Sequence, residues 1–378
     1  MSPLTGGPAP LLSLIYVARN DNYMGNFAWR FETALNYLAA NLVDLGLLDG
    51  VEAVVTDWGS DTPLHRVLTL SAAAQQIVRY VIVPPDIAQL EQRDSPFPIV
   101  IAQNAAIRRC RSDYIAQTDS DVMFTQDVLA FLLGVLMGDC PTEVPFDQAL
   151  VYAKRRHVSW QYVTAEPPLD EFDWYMRRVG WLLPVETFLS FPFAGTGLMM
   201  MHRKLWEECR GYDERLIYWG WMEIDLALRI KRKYPLYDLR RQGLAVFHME
   251  HYPSRRAGTN PRKMNPTEFN NAFVANDEKW GLGRYSLEEY VYPRDEALVT
   301  ELTNQYATIQ INPRLAAATL RALGKRLWQP VQNALVVFYL LQRCGFHVSV
   351  IRQRVAGHPI GEWPHIVRAW HAERRNRA

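Results

Sequence analysis

Several classes of protein are removed by what this chain lacks. Its four cysteines, Cys110, Cys140, Cys209 and Cys344, are widely separated and form no Cys-x-x-Cys pair, so neither a zinc module nor a disulfide framework is indicated. No Gly-x-Gly-x-x-Gly follows the first predicted strand and no Gly-x-x-x-x-Gly-Lys-Ser/Thr occurs, which argues against dinucleotide-binding dehydrogenases and P-loop enzymes. The longest apolar run, residues 334–341, is too short to span a bilayer. Residues 1–10 hold neither basic residues nor an apolar core, so no signal peptide is expected. A formal net charge of +1 argues against a general nucleic-acid-binding surface. That balance hides an asymmetry, because residues 313–378 carry eleven Lys/Arg against two Asp/Glu and the rest thirty against thirty-eight. Reduced thiols and a cytoplasmic location are the default expectation.

What is present is an alternation of strand and helix patterns. At 49% hydrophobic content, 378 residues can bury one large α/β domain with extensions. The continuous apolar run 11–18 reads as a central strand, broken by Arg19-Asn20-Asp21-Asn22. Residues 27–45 carry Phe31, Leu35, Leu38, Leu42 and Leu45 at helical spacing and end near Gly46. Strands are predicted at 51–56 and 77–83, a helix at 99–111, and then the strand Tyr114-Ile115-Ala116. Such alternation favours a mostly parallel sheet wound through right-handed crossovers.

At the end of that last strand stands Asp119-Ser120-Asp121. In open α/β sheets ligands bind beyond the carboxyl ends of strands. Carboxylates separated by a single residue can converge on one ligand where the chain turns at a strand end. Their hard oxygens suit Mg²⁺ or Mn²⁺, ions that commonly share their shell with substrate phosphates. Alone the pattern is weak, since acidic turns are common after strands.

Taken together, Val55-Thr56-Asp57-Trp58-Gly59-Ser60-Asp61, then Ala102-Gln103-Asn104-Ala105-Ala106, then Asp113-Tyr114-Ile115 with Asp119-Ser120-Asp121, resemble the nucleotide-sugar half of family-2, GT-A-type glycosyltransferases. A second block, Tyr218-Trp219-Gly220-Trp221-Met222-Glu223-Ile224-Asp225-Leu226-Ala227-Leu228-Arg229, resembles the Gly-Trp-Gly-x-Glu-Asp signature shared with β-1,4-galactosyltransferase-like enzymes. The resemblance spans about residues 11–285. It implies a GT-A (Rossmann-like) domain over 1–292, with a nucleotide-sugar half at 11–137 and an acceptor and catalytic half at 138–292.

It further implies an inverting, metal-dependent glycosyltransferase using a nucleoside-diphosphate sugar, most simply UDP-linked, and a glycan or lipid-linked acceptor, as in surface polysaccharide synthesis. Nucleotide-sugar contacts are then expected from Val17, Ala18, Arg19, Asp57, Gln103, Asn104, Asp119, Ser120, Gly197 and Trp221. Mn²⁺ or Mg²⁺ would be held by Asp119, Asp121 and His248, the last on the strand 244–251, which ends in two histidines. Aligning on Leu226 and Arg229 places Glu223 at the catalytic base, with Asp225 as the alternative. Asp57 has a plainer reading as a turn residue, and the acidic pair 223/225 as ordinary first-turn charges on a helix. The whole chain has a second reading too, a non-catalytic glycan-binding or scaffold protein on a relic of the same fold. A sugar nucleotidyltransferase would need a Gly-rich, Arg-containing loop after the first strand, which residues 19–22 do not supply.

Between 138 and 193 the pattern loosens. Trp160, Tyr162, Trp174, Tyr175 and Trp181 lie among acidic residues and prolines, either as a sugar-acceptor surface or as core packing. The basic loop 254–263 has the composition of a lid over a diphosphate, and of any solvated loop. Beyond residue 292 two helical stretches, 314–327 and 331–343, form a basic extension (293–378). It reads as a peripheral contact with the inner membrane face or as packing on the core or a second subunit.

Overall fold

The computed structural model describes residues 9–183, 185, 193–251, 263–266 and 272–307. Through the first half the alternation expected from the sequence is present: β1 (Leu12–Ala18), α1 (Phe27–Leu45), β2 (Val51–Trp58), α2 (Ala72–Ile77), β3 (Val78–Val83), α3 (Pro85–Gln92), α4 (Ile99–Ile107) and β4 (Tyr114–Gln117). Every residue of β2 is buried, as expected of an interior strand covered on both faces. Helix α1 stops at Gly46, whose left-handed backbone (φ 68°) lets its N–H reach the Leu42 and Val43 carbonyls.

After β4 come β5 (Val122–Met123), α5 (Gln126–Leu136), β6 (Leu150–Val158), α6 (Trp160–Val163), α7 (Leu169–Arg178), β7 (Thr196–His202), α8 (Arg203–Cys209), α9 (Met222–Ile230), β8 (Leu236–Asp238), β9 (Val246–Met249), β10 (Glu288–Val291) and α10 (Glu296–Ala307). Here the loosened pattern of the sequence is corrected. The stretch 138–193 contains β6, a nine-residue strand in the middle of the sheet. Its first half is apolar and its second half is Lys154-Arg155-Arg156-His157, so no single periodicity marks it.

The sheet runs β10-β3-β2-β1-β4-β7-β6-β9-β5, with β8 beside β6. Strands β3, β2, β1 and β4 are parallel neighbours. Strand β7 is antiparallel to both β4 and β6, so β6 points the same way as β4. Strands β8 and β9 are parallel to β6. The carboxyl ends of β1, β4, β6 and β9 therefore open onto one edge. Successive strands build outward from β1 first through β2 and then through β4, so that edge contains the switch point where ligands bind in such sheets. This is a mostly parallel α/β architecture, as the alternation of strand and helix patterns predicts.

Helices cover both faces. One core joins α1, α2 and α5 to the sheet through Phe31, Leu38, Leu42 and Leu129. The other joins α4, α8 and α9 through Ile101, Trp206 and Leu226. A smaller cluster of Phe172, Met176, Phe247 and Met249 seats α7 behind β9. Helix α10 buries Val299 in the first core. The proposed helices 314–327 and 331–343, and nearly all of the loop 254–263, lie outside the described residues. No helix among the described residues is long and apolar enough to cross a membrane.

One junction ties the two halves together. Asn104, fully buried on α4, donates to the Tyr212 carbonyl (2.9 Å) and to Glu214 (3.0 Å) and accepts from the Tyr212 N–H (2.9 Å). The Gly281 N–H closes the knot on Glu214 (2.7 Å). A Cβ on Gly281 would stand 2.4 Å from the Asn104 carbonyl oxygen, at a φ of +62°. Gly25 has a similar φ of +75° but nothing within 4 Å. Gly281→Ala should thus cost about 2–5 kcal/mol, combining left-handed strain with overpacking, and Gly25→Ala only about 1–2. Urea unfolding of the two variants checks this, and equal losses would refute the packing argument.

Candidate active site

The site is built by two very short strands. β5 and β9 pair antiparallel with Val122 opposite His248, and the Met249 N–H donates to the Asp121 carbonyl (2.9 Å). This register lays the Asp121 carboxylate against the His248 ring, with Nε2 3.3 Å from Oδ1. His251, three residues on, brings its Nε2 to 3.8 Å from Oδ2. The donor atoms of Asp121, His248 and His251 all lie within 4.8 Å of one another. From α1, the buried Arg30 aims Nε at the same carboxylate (3.9 Å) while its terminal nitrogens hold the Tyr23 and Gly25 carbonyls.

Burial alone would raise the Asp121 pKa, but His248, His251 and Arg30 override it and hold the carboxyl well below the usual range. Burial likewise opposes charge on His248. The Asp121 carboxylate wins, helped by Glu250, and lifts the ring to about 9. His251 is lowered, because burial outweighs the attraction of Asp121. One oxygen and two imidazole nitrogens at this spacing fit a divalent cation. The mixture suits Mn²⁺ better than Mg²⁺, which favours oxygen shells. Binding would displace the His248 proton.

Asp119 does not join this group. Its Oδ2 pairs with Arg155 of β6 (2.8 Å) and its Oδ1 is near Gln117 Nε2 (3.4 Å). The turn does not bring the two carboxylates together. Asp121 is committed to β9 and Asp119 to β6.

The two candidate bases are also separated by the structure. Asp225 is 1% exposed and bound to Arg229 (2.8 Å), itself 0% exposed and donating to the carbonyls of Gly211 and Phe273. Asp225 is therefore corrected to a buried structural ion pair with no surface to offer a substrate. Glu223 lies half-exposed in the first turn of α9, which is entered through Gly220 (φ 77°) and Trp221 (φ 70°). The buried Tyr212 hydroxyl stands 3.3 Å from Gln117, and its pKa is raised well above normal by burial and by the charges of Glu223 and Asp119.

Several expected nucleotide contacts have structural duties instead. Asp57 is buried and accepts from Ser60 Oγ and the Leu64 N–H (2.7 Å), the plainer turn reading. Gln103 and Asn104 are buried on α4, with Asn104 spent on the knot described above. Gly197 is buried in β7, where a Cβ would meet Val246 Cγ2 at 2.5 Å. Asp57 and Asn104 thus spend their hydrogen bonds on a turn and a junction, whereas Gln103 Oε1 is buried without a hydrogen-bond partner. Val17 and Ala18 end β1 beside the switch point, Arg19 bridges to Asp21 and the Pro96 carbonyl, and Ser120 occupies the turn between Asp119 and Asp121. Among the aromatic residues of 160–181, Tyr162 stacks on Tyr175 (4.2 Å) as core-like packing, whereas Trp174 and Trp181 stand 58% and 50% exposed.

His251, Arg30 and Arg155 were not singled out as site residues by the sequence reading. The spacing His248-x-x-His251 was a usable signal for the first, and nothing local marks the other two.

No protein-family model matches the chain, and no curated protein does. Among solved structures it is similar to S. aureus TarS, with 11% identity and a TM-score of 0.36, over 63% of this chain and 36% of that one. The chain spans about a third of that protein's length.

The His248 shift has a definite sign. A histidine raised from 6.5 to about 9 contributes stability that is fully present below pH 6.5 and lost as pH rises through about 9. His251, lowered, acts only below 6.5, and the depressed Asp121 and Glu250 act in the acid range. In chelator, Tm should therefore fall by roughly 5 °C between pH 6.5 and 9.5, and His248→Gln should flatten that slope. An unchanged slope in the variant would exclude His248 as its source.

Proposed function

We propose that the chain is a metal-dependent glycosyltransferase that moves a sugar from a nucleoside-diphosphate donor, most simply UDP-linked, to a hydroxyl of a glycan or lipid-linked acceptor. One observation carries this reading: Asp121 and the His248/His251 pair, remote in sequence, meet against the segment that follows β1, where Tyr23 packs on His251 and Arg30 faces Asp121. When bound, a divalent cation there neutralises charge developing on a diphosphate leaving group. Asp121, His248 and His251 would hold it. On this reading Asp119, paired with Arg155, accepts from a donor hydroxyl. Glu223 takes the proton from the attacking acceptor hydroxyl, for which its half-exposed position at the start of α9 is suited. Direct displacement at the anomeric carbon then inverts its configuration. The exposed Trp174 and Trp181 offer ring faces for a sugar acceptor.

The test is a panel of UDP- and GDP-sugars assayed for Mn²⁺-dependent hydrolysis and for binding. Asp121→Asn should abolish metal-dependent donor binding. Glu223→Gln should leave donor binding intact and lower turnover about 10²–10⁴-fold. Absence of metal-dependent nucleotide binding in the native chain would leave the relic, glycan-binding reading in its place. Full transfer by the Glu223→Gln variant would remove Glu223 from the base role.

A further inference from the structure

This inference rests on the reading that Asp121, His248 and His251 hold a divalent cation, and concerns what aims the central ring. Both nitrogens of His248 face carboxylates. Nε2 points at Asp121 (3.3 Å), and Nδ1 lies 3.5 Å from Glu250 Oε1. That Nδ1 is buried and makes no hydrogen bond in the present geometry, so Glu250 is the acceptor within reach once the ring settles on a cation.

The carboxylate is itself held in place. The Glu250 N–H donates to the Val158 carbonyl (3.0 Å), pinning the end of β9 to β6. His157, the register partner of His248 on β6, brings its Nδ1 against the same Glu250 oxygen, without hydrogen-bond geometry in the present arrangement. The two rings stand 5.7 Å apart and nearly perpendicular. A ring that donates Nδ1–H to a fixed carboxylate presents its Nε2 lone pair in a fixed direction.

We infer that Glu250, braced by His157, is a positioning residue that orients His248 and commits its Nε2 to the cation. His157, His248 and Glu250 also lie close enough together to be a cation set of their own. A neutral imidazole, however, has one lone pair, so His248 cannot serve both groups without losing its last proton. One group is the site and the other its support. The group containing Asp121 is the one that lies against the segment following β1, through Tyr23 and Arg30.

The experiment titrates Mn²⁺ alone into the full chain and into E250Q and E250L, with melting in chelator to report folding. The native chain should bind one Mn²⁺. E250L should bind it about 10–100-fold more weakly, and E250Q, which keeps an acceptor oxygen, should stay within a few-fold of native. In parallel, the imidazole N–H resonance of His248 should be present in the native chain and lost in E250L. If E250L does not fold, H157F removes the brace and should weaken Mn²⁺ several-fold.

Native-like Mn²⁺ binding by a folded E250L overturns the inference and leaves the metal reading intact. So does a native stoichiometry of two that falls to one in E250L, since Glu250 would then be a ligand. Equal impairment of E250Q and E250L would replace orientation by simple charge. No Mn²⁺ binding by the native chain would bring down the metal reading itself, and this inference with it.

Discussion

The register between β5 and β9 is the constraint on which the site depends. Only Val122 and Met123 pair with His248 and Phe247, yet that contact decides which side chains meet. Side chains alternate along a strand, so a slip of one residue would turn His248 away and bring Phe247 or Met249 to Asp121. The slip is resisted from behind. Val122 belongs to the large core under α1 and α5, whereas Phe247 and Met249 are buried with Phe172 and Met176 of α7. Apolar packing on one side of β9 therefore sets the polar chemistry on the other.

The two acidic motifs share one design. In each, carboxylates stand one residue apart, and at least one is bound by an arginine: Asp119 by Arg155 and Asp225 by Arg229. Asp225 is sealed in the interior, where removing either partner would strand a buried charge, typically costing about 3–5 kcal/mol. That pair anchors α9 to Gly211 and so to the Asn104 knot. Glu223, two residues before Asp225 in the first turn, is only partly buried.

Much of the fold was legible because its first half is locally consistent. Buried strands appear as unbroken apolar runs, and α1 begins and ends where periodicity and Gly46 put it. Strand β6 was hidden because its two halves obey different demands. Leu150 to Ala153 pack the core, whereas Arg155 and His157 serve the site edge. The site was legible only as far as motif order reached. Asp121 and His248 stood out, but Arg30 is an unremarkable helical arginine until α1 is packed beside β5. Asp57 and Asn104 show the converse, being residues of the right type whose hydrogen bonds are spent on turns and junctions. Sequence gives the candidates for a polar role; only packing determines which remain available.

The charge around Asp121 follows from this arrangement. Asp121 faces Arg30 and His248, whose proton it favours, Asp119 is matched by Arg155, and Glu250 lies on the other side of the His248 ring. A divalent cation in place of the His248 proton would add one positive charge to this set. In a partly buried setting such an added charge is costly unless an anion completes it. On the proposed reading the diphosphate is that anion, and donor and metal should favour one another's binding for electrostatic reasons before any direct contact is considered. Arg30, too buried to touch a ligand, would contribute through its field alone.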